Sequence, residues 1–336
     1  MTSVGMIGAG RWGFNWVRTL AALPGVELRW CCDVSSASLE RVHAPFPHVK
    51  TTTQLSDLLD DSTLDAVVIA TIAPTHFDVA SRAILAGKHA MVEKPMTLTT
   101  ADAHALTELA QRHGKVLMVG HLLEYHPIVR RIRAMIDSDE LGAVQYIVSQ
   151  RLNLGTIRAD ENAWWSLAPH DISVANRLFG AAPVSVQCRG QCIVRPGVED
   201  VVFATLEYPG GRLAQFHVSW LDPHKSRKLT VVGSGRMVVF DDTATQKLIV
   251  HDKGFARDGE TIAIRQGSVE APTVDATEPL ALEAQHFVHC IRTGTRPVSG
   301  GVSGTQVVSV LEYGQRSLAL GGQVIAIPAQ PLRQVA

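Results

Sequence analysis

At 336 residues the chain is long enough for two domains, and a hydrophobic share of 46% with 19% charged residues excludes a disordered polymer. A net charge of −1 gives no electrostatic case for nucleic acid or an anionic membrane as partner, and no apolar run of about 18 residues is present to span a bilayer. Met1-Thr2-Ser3-Val4 carries no basic leader, and five cysteines, with Cys31 and Cys32 adjacent, suit a reducing cytoplasm better than a disulfide framework.

Residues 4–7 form a short apolar strand that runs into Gly8-Ala9-Gly10-Arg11-Trp12-Gly13, and 14–23 read as a helix stopped by Pro24-Gly25. Strand, G-x-G-x-x-G and helix, in that order, are the context a dinucleotide-binding fingerprint requires. The first glycine permits the tight turn, the second lets a pyrophosphate approach the backbone, and the third lets helix and strand pack closely. The helix start then offers unpaired N–H groups to phosphate. A second strand over 26–32 ends in Asp33, about 20 residues past Gly13. A carboxylate there accepts hydrogen bonds from the adenosine ribose hydroxyls and repels a 2′-phosphate. Ser35 and Ser36 follow, and no arginine or lysine stands before Arg41, so NAD is favoured over NADP.

A short helix over 55–59 and a buried strand over 64–70 lead to Thr71-Ile72-Ala73-Pro74-Thr75-His76. A helix through Leu85, capped by Gly87, precedes His89-Ala90-Met91-Val92-Glu93-Lys94-Pro95. That strand ends in two opposite charges and a proline, which cannot donate to a sheet ladder. Ligands of an open α/β sheet bind beyond the carboxyl ends of its strands, where Glu93 and Lys94 then lie. The pKa of a lysine falls on desolvation or beside another cation, so Lys94 is a candidate proton carrier. The plain alternative is a solvated Glu-Lys pair closing an ordinary strand. A helix over 100–113 and a strand over 116–119, opening onto Gly120-His121, complete an alternation that predicts an α/β fold with a doubly wound parallel sheet. This first domain is expected over 1–122 and a second over 123–336.

Beyond Leu122-Leu123-Glu124-Tyr125-His126-Pro127, residues 128–136 read as a helix and the texture turns β-rich. Strands are expected over 144–152, 184–189, 201–208, 212–220, 227–232 and 237–240, with glycine turns at 209–211 and 233–235 suited to antiparallel hairpins. Within Asn162-Ala163-Trp164-Trp165-Ser166-Leu167-Ala168-Pro169-His170-Asp171-Ile172, Pro169 favours the first turn of a helix running to Gly180. His170 would then sit near a helix start, whose dipole favours the neutral, base-competent ring. A locally packed histidine is the alternative. Glu283, His286 and His289 recur at three-residue steps, but an amphipathic packing helix over 278–293 explains them more simply, so no metal site is expected.

The ordered set Gly8-Ala9-Gly10-Arg11-Trp12-Gly13, Ala70-Thr71 with Pro74 and His76, Ala86-Gly87-Lys88-His89, and Glu93-Lys94-Pro95 resembles the glucose–fructose oxidoreductase and inositol dehydrogenase family (Gfo/Idh/MocA). The resemblance covers essentially the whole chain. It implies a Rossmann domain followed by an α+β domain with a large open, mostly antiparallel sheet. Helices would pack one face of that sheet, and the other would make the subunit contacts of a homodimer or homotetramer. It implies that Gly8, Gly10, Arg11, Trp12, Gly13, Asp33, Thr71, Ile72, Pro74, His76, Glu93, Lys94 and His121 surround NAD, with Lys94 reaching the substrate oxygen. It further implies that His170 is the catalytic histidine. Many relatives carry Asp where Ser166 stands. A hydroxyl orients a substrate oxygen but holds no charge beside His170, which shifts weight onto Lys94. Relatives often have arginine at Glu124, which receives no binding role.

The runs Arg151-Leu152-Asn153-Leu154-Gly155-Thr156-Ile157-Arg158 and Ser219-Trp220-Leu221-Asp222-Pro223-His224-Lys225, with Ala168-Pro169-His170-Asp171, resemble a branch associated with nucleotide sugars. Arg158 and Lys225 are candidate diphosphate partners, since guanidinium grips phosphate oxygens bidentately. Tyr125, Asn153, Trp165 and Ser166 join them as substrate candidates; Trp164 and Trp165 either stack on a base or sugar or belong to the core. The expected activity is NAD-dependent oxidation of a secondary hydroxyl of a sugar, nucleotide-linked and of the 3-dehydrogenase type, to a ketone. Competing readings are an NADPH-dependent ketoreductase, a dehydrogenase of a free sugar or inositol, and a non-catalytic dinucleotide sensor. Asp33 argues against NADPH, and Lys94 with His170 against a sensor.

Overall fold

A computed structural model of the chain describes residues 1–159 and 161–329. The first elements are β1 (Thr2–Ile7), α1 (Gly13–Ala22), β2 (Val26–Cys32), α2 (Ser36–His43), β3 (Lys50–Thr52), α3 (Leu55–Leu59), β4 (Ala66–Ile69), α4 (His76–Leu85), β5 (His89–Glu93), α5 (Thr100–Arg112) and β6 (Leu117–Gly120). There follow α6 (Pro127–Asp137), β7 (Val144–Leu154), α7 (Ala163–Phe179), β8 (Ser185–Gln191), β9 (Val201–Tyr208), β10 (Arg212–Ser219), β11 (Leu221–Gly233) and β12 (Met237–Asp241). The last are β13 (Leu248–Asp258), β14 (Thr261–Glu270), α8 (Pro279–Thr293), α9 (Gly301–Ala319) and β15 (Ile325–Ala326). Two compact units share the chain: Met1–Tyr125 with Thr277–Val308, and His126–Ala276 with the residues from Ser309 on.

The first unit is a six-stranded sheet in the order β3-β2-β1-β4-β5-β6, every neighbouring pair parallel. Its central strands are buried on both faces, as Ala66–Ile69 shows with four consecutive buried residues. One face carries Trp16, Val17 and Leu20 of α1 together with Leu280, Ala284, Phe287 and Val288 of α8. The other carries Leu58 and Leu59 of α3, Ala80, Ala83 and Ile84 of α4, Leu106 of α5 and Val308. Unlike an uninterrupted 123–336, the second unit therefore gives up Thr277–Val308 to the first. The reason is packing: α8 supplies apolar side chains that cover the sheet beside α1, which an amphipathic helix far along the chain does as well as a nearby one.

The second unit holds a nine-stranded sheet among the described residues, ordered β14-β13-β12-β11-β7-β10-β9-β8-β15. Only the β7–β10 pairing is parallel, and the rest are antiparallel. The buried side of β9 presents Val202, Ala204, Leu206 and Tyr208, as strand periodicity requires. The opposite side leaves Phe203 half-exposed and stacked on His217, with Tyr146 and Leu213 also open. Strands β13 and β14 escape the sequence reading; β14 is exposed along nearly its whole length, so no buried side marks it.

Helix α7 corrects the expectation of a helix start at Pro169. It begins six residues earlier, where Asn162 accepts from the Trp165 N–H at 3.1 Å, and it ends at Gly180 in the left-handed conformation. Pro169 lies inside it, and burial of Trp164, Ala168, Ile172, Ala175 and Leu178 outweighs the lost backbone donor. His170 is consequently a mid-helix residue, and the dipole argument for its protonation state does not apply to it.

Candidate active site

The loop between β1 and α1 is built around its glycines for two separate reasons. Gly8 has φ +91°, and a Cβ there would lie 2.7 Å from the Ala70 carbonyl oxygen at the end of β4. A Cβ on Gly13 would lie 1.9 Å from the Gly8 oxygen, so both positions are dictated by the fold. A Cβ on Gly10 would meet nothing within 4 Å. That open face beside the start of α1, whose first turn carries no acidic side chain, fits the approach of a pyrophosphate.

Asp33 follows β2 and turns back to the same loop. Its Oδ2 accepts from the Ala9 N–H at 2.6 Å and its Oδ1 from the Ser35 N–H at 2.8 Å. Ser35 caps α2 by accepting from the Ser38 N–H. From the far side of α2, Arg41 donates Nη2 to the carbonyls of Ala9 and Gly10, the latter at 3.2 Å, while its guanidinium covers the Phe14 ring. The Arg11 side chain is exposed at the loop tip.

At the end of β5, Glu93 is nearly buried, and its Oε1 accepts from the indole N–H groups of both Trp12 and Trp16, the second at 2.7 Å. Its Oε2 accepts from the Lys94 N–H at 3.2 Å and faces β6, where a Cβ on Gly120 would lie 2.8 Å away. Lys94 follows half-buried, ahead of a cis bond to Pro95. His121 beside it is 1% exposed, and its ring is pushed down to about 3 by burial and, secondarily, by the Lys94 charge, so it is neutral. Neither His121 nitrogen has a hydrogen-bond partner among the described residues.

The loop after β4 carries Thr71, Ile72, Pro74 and His76. Thr75 donates its hydroxyl to Thr71 Oγ1 at 2.7 Å, and Ile72 is exposed. The buried His76 ring lies 2.8 Å from the Pro95 carbonyl through Nδ1 and 3.1 Å from the Thr71 carbonyl through Nε2. It therefore ties the loop after β4 to the segment after Lys94, and burial holds its pKa below the ordinary value. Tyr125 is 4% exposed and pairs its hydroxyl with Ser299 Oγ at 2.7 Å, an anchoring role within the core of this unit. The Glu283 carboxyl group is fully buried, and its pKa is raised by burial and then by Glu93 and Glu124.

In the second unit, α7 carries Trp165, Ser166 and His170. Ser166 is buried, while Trp165 and His170 are half-buried. Trp164 is a core residue whose indole donates to the Leu311 carbonyl at 3.0 Å. Asp171 anchors the helix to β7: Arg151 grips it with Nε at 2.9 Å and Nη2 at 3.0 Å, and Ser149 adds a hydroxyl at 2.9 Å. Opposite Arg151 on β11, Arg227 donates to Asn153 Oδ1 at 2.8 Å. Arg158 is exposed and pairs with Glu161 at 2.9 Å, and Lys225 is exposed on β11. Sequence reasoning missed Arg41, Trp16, Arg151 and Arg227, all of which act through contacts far apart in the chain.

Among the described residues no group of three or more His, Cys, Asp or Glu is placed to hold a metal ion. Glu283 is buried in the core, His286 accepts from the Val298 N–H at 3.0 Å, and His289 is exposed. Three-residue steps each fall about 60° short of a full turn, so the three side chains drift across roughly 120° of α8, from its buried side to its exposed side.

Residues 2–121 match the model of the oxidoreductase family with an NAD-binding Rossmann fold, and residues 129–239 match the GFO/IDH/MocA C-terminal domain. UDP-N-acetylglucosamine 3-dehydrogenase of Acidithiobacillus ferrooxidans is 30% identical over 73% of this chain and 76% of its own length. The NAD-dependent scyllo-inositol 2-dehydrogenase of Bacillus subtilis is 25% identical over 89% of each. The solved structure of GenD2 from gentamicin A biosynthesis, in complex with NAD, superposes with a TM-score of 0.83 at 25% identity, covering 98% of this chain and 97% of that one.

Proposed function

The chain belongs to the Gfo/Idh/MocA family of NAD-binding oxidoreductases, and from that premise we propose that it oxidises a secondary hydroxyl of a nucleotide-linked sugar to a ketone. The observation that carries this reading is the Glu93 carboxylate: it joins the fingerprint loop, through Trp12, to the strand end that presents Lys94. NAD, when bound, supplies the hydride acceptor. The loop of Gly8, Gly10 and Gly13 with Asp33 would hold its adenosine and pyrophosphate. The protein's own work is then on the proton, because a hydride leaves a carbinol carbon readily only if the hydroxyl proton departs in the same region of the reaction. A positioned base typically supplies about 10²–10⁴-fold.

Lys94 steadies the developing alkoxide and relays the proton, and His170 abstracts it, oriented through hydroxyls such as Ser166. The nucleotide-sugar choice is supported by the relative that acts on UDP-N-acetylglucosamine and by the exposed cations Arg158 and Lys225, suited to a diphosphate. The inositol dehydrogenase likeness over most of the chain supports a second reading, a free cyclitol or sugar. The uncovered sheet face around Phe203, Tyr146 and Leu213 supports a symmetric homodimer or homotetramer. The free thiols suit the cytoplasm.

NADH formation, screened with UDP-, GDP- and dTDP-sugars against inositols and monosaccharides, tests the substrate class. Turnover and thermal stabilisation are expected with a nucleotide sugar, since a ligand that binds only the native state raises the melting temperature. A response confined to inositols or free sugars selects the second reading.

A further inference from the structure

Side chains from β7 and from β9 both tie α7 to the sheet of the second unit, at different distances from His170. Tyr208 of β9 donates its hydroxyl to Asn176 Oδ1 at 2.8 Å, more than a helical turn beyond the histidine. Arg151 and Ser149, on one side of β7, instead hold Asp171, the residue next to it. The guanidinium meets both carboxylate oxygens, at 2.9 and 3.0 Å, and the Ser149 hydroxyl donates to Oδ1 at 2.9 Å. The turn they hold is one that the helix backbone holds poorly. Pro169 has no N–H for the Trp165 carbonyl, and the Ser173 hydroxyl donates to the His170 carbonyl at 3.0 Å, a kind of contact that bends helices. The directed bonds on Asp171 therefore fix the roll of α7 at this point. Successive side chains leave a helix about 100° apart, so the roll that seats Asp171 also sets where the His170 imidazole points.

The pair is kept against a cost. Arg227 stands opposite Arg151 across the β7–β11 ladder, and like charges so placed repel. Apolar side chains of similar volume often serve stability as well as a buried ion pair does. We infer that Arg151 and Asp171 are positioning residues for His170: their bidentate pair holds the proline-weakened turn of α7 in the roll that presents the imidazole to the substrate hydroxyl. The inference rests on His170 as the base, as in the proposed function. A plain packing tie is the competing role, and it forecasts lost stability with no effect that passes through His170.

The test is NADH formation by the purified full-length protein, with whichever nucleotide sugar, monosaccharide or inositol of the screen wild type oxidises fastest. Arg151→Lys keeps the charge but not the planar fork. It should lower kcat by roughly tenfold or more, since a misplacement of about 1 Å costs as much as about 10²-fold. KM and the dissociation constant of NAD should stay within a few-fold. Asp171→Asn should behave in the same way, and if it does not fold, Arg151→Lys decides. In the His170→Ala background, Arg151→Lys should lower kcat no further, because residues that act as one unit are not additive. Tyr208→Phe removes a tie from the same helix and should lower the urea midpoint yet leave kcat near that of wild type. Equal losses from Arg151→Lys with and without His170 would overturn the inference, and so would wild-type kcat in Arg151→Lys. A kcat loss in Tyr208→Phe as large as in Arg151→Lys would also overturn it, by reducing the pair to one packing tie among others. If His170→Ala alone kept wild-type kcat, or wild type oxidised none of these compounds, the proposed function itself would fail, and the inference with it.

Discussion

Trp16 donates its indole N–H to Oε1 of Glu93 across 2.7 Å inside the first unit, and Trp12 donates to the same oxygen from the glycine loop. One carboxylate oxygen thus joins α1, the fingerprint loop and the end of β5. Replacing Trp16 by Phe keeps an aromatic ring but removes the pyrrole half of a fully buried indole and withdraws a donor from a nearly buried carboxylate. The expected loss is about 1–3 kcal/mol of stability in a urea titration. Trp12→Phe, at a site 41% exposed, should weaken NAD binding more than it lowers stability. If Trp12→Phe changed neither, the link between loop and strand end would have no part in holding the cofactor.

The glycines of the loop divide by what requires them. Gly10→Ala has room for its methyl group and should leave the melting temperature nearly unchanged, yet reduce NAD affinity. Gly13→Ala drives a Cβ into the Gly8 carbonyl and should destabilise the fold itself. Thermal melts with and without NAD separate the two, and an unimpaired NAD affinity in Gly10→Ala would count against a pyrophosphate at that face.

Glu283 should give the protein a distinct pH dependence. Its folded pKa is raised above the ordinary value of 4.5 by burial and by the carboxylates Glu93 and Glu124. Below that ordinary value both states are protonated and the group has no effect. Above it the unfolded chain releases the proton while the folded chain keeps it, so stability falls with rising pH until the folded group also ionises. Glu283→Gln removes this contribution. Its melting temperature relative to wild type should therefore rise as the pH is taken from the ordinary carboxylate value toward neutrality. A difference that stayed flat across that window would contradict a protonated buried Glu283.

Much of this was legible in the sequence because it is local. The run from Gly8 to Gly13, the strand ending in Glu93-Lys94-Pro95 and the spacing to Asp33 each carry their meaning in consecutive residues. What was not legible depends on distant partners. Arg41 looked too far from Asp33 until α2 folded it back, and Glu283 read as one polar step on an amphipathic helix although its carboxyl group is buried near Glu93 and Glu124. Pro169 misled because burial of α7 outweighs a proline's local preference for a helix start. Strand β14 has no buried side to mark it.

His170 and Ser166 test the second proton-handling group. His170→Ala should lower kcat less severely than loss of Lys94. Ser166→Asp, which puts a carboxylate one helical turn before His170, should leave turnover intact or raise it. Abolished turnover in a folded Ser166→Asp protein would exclude His170 as the base.

The most direct measurement is kcat of Lys94→Ala with the nucleotide sugar that gives turnover, beside the dissociation constant of NAD for the same variant. The account predicts that kcat falls by about 10²-fold or more. NAD affinity should stay within a few-fold, because backbone groups and Asp33 hold the cofactor. Near-wild-type kcat in Lys94→Ala would contradict the proton role at the end of β5.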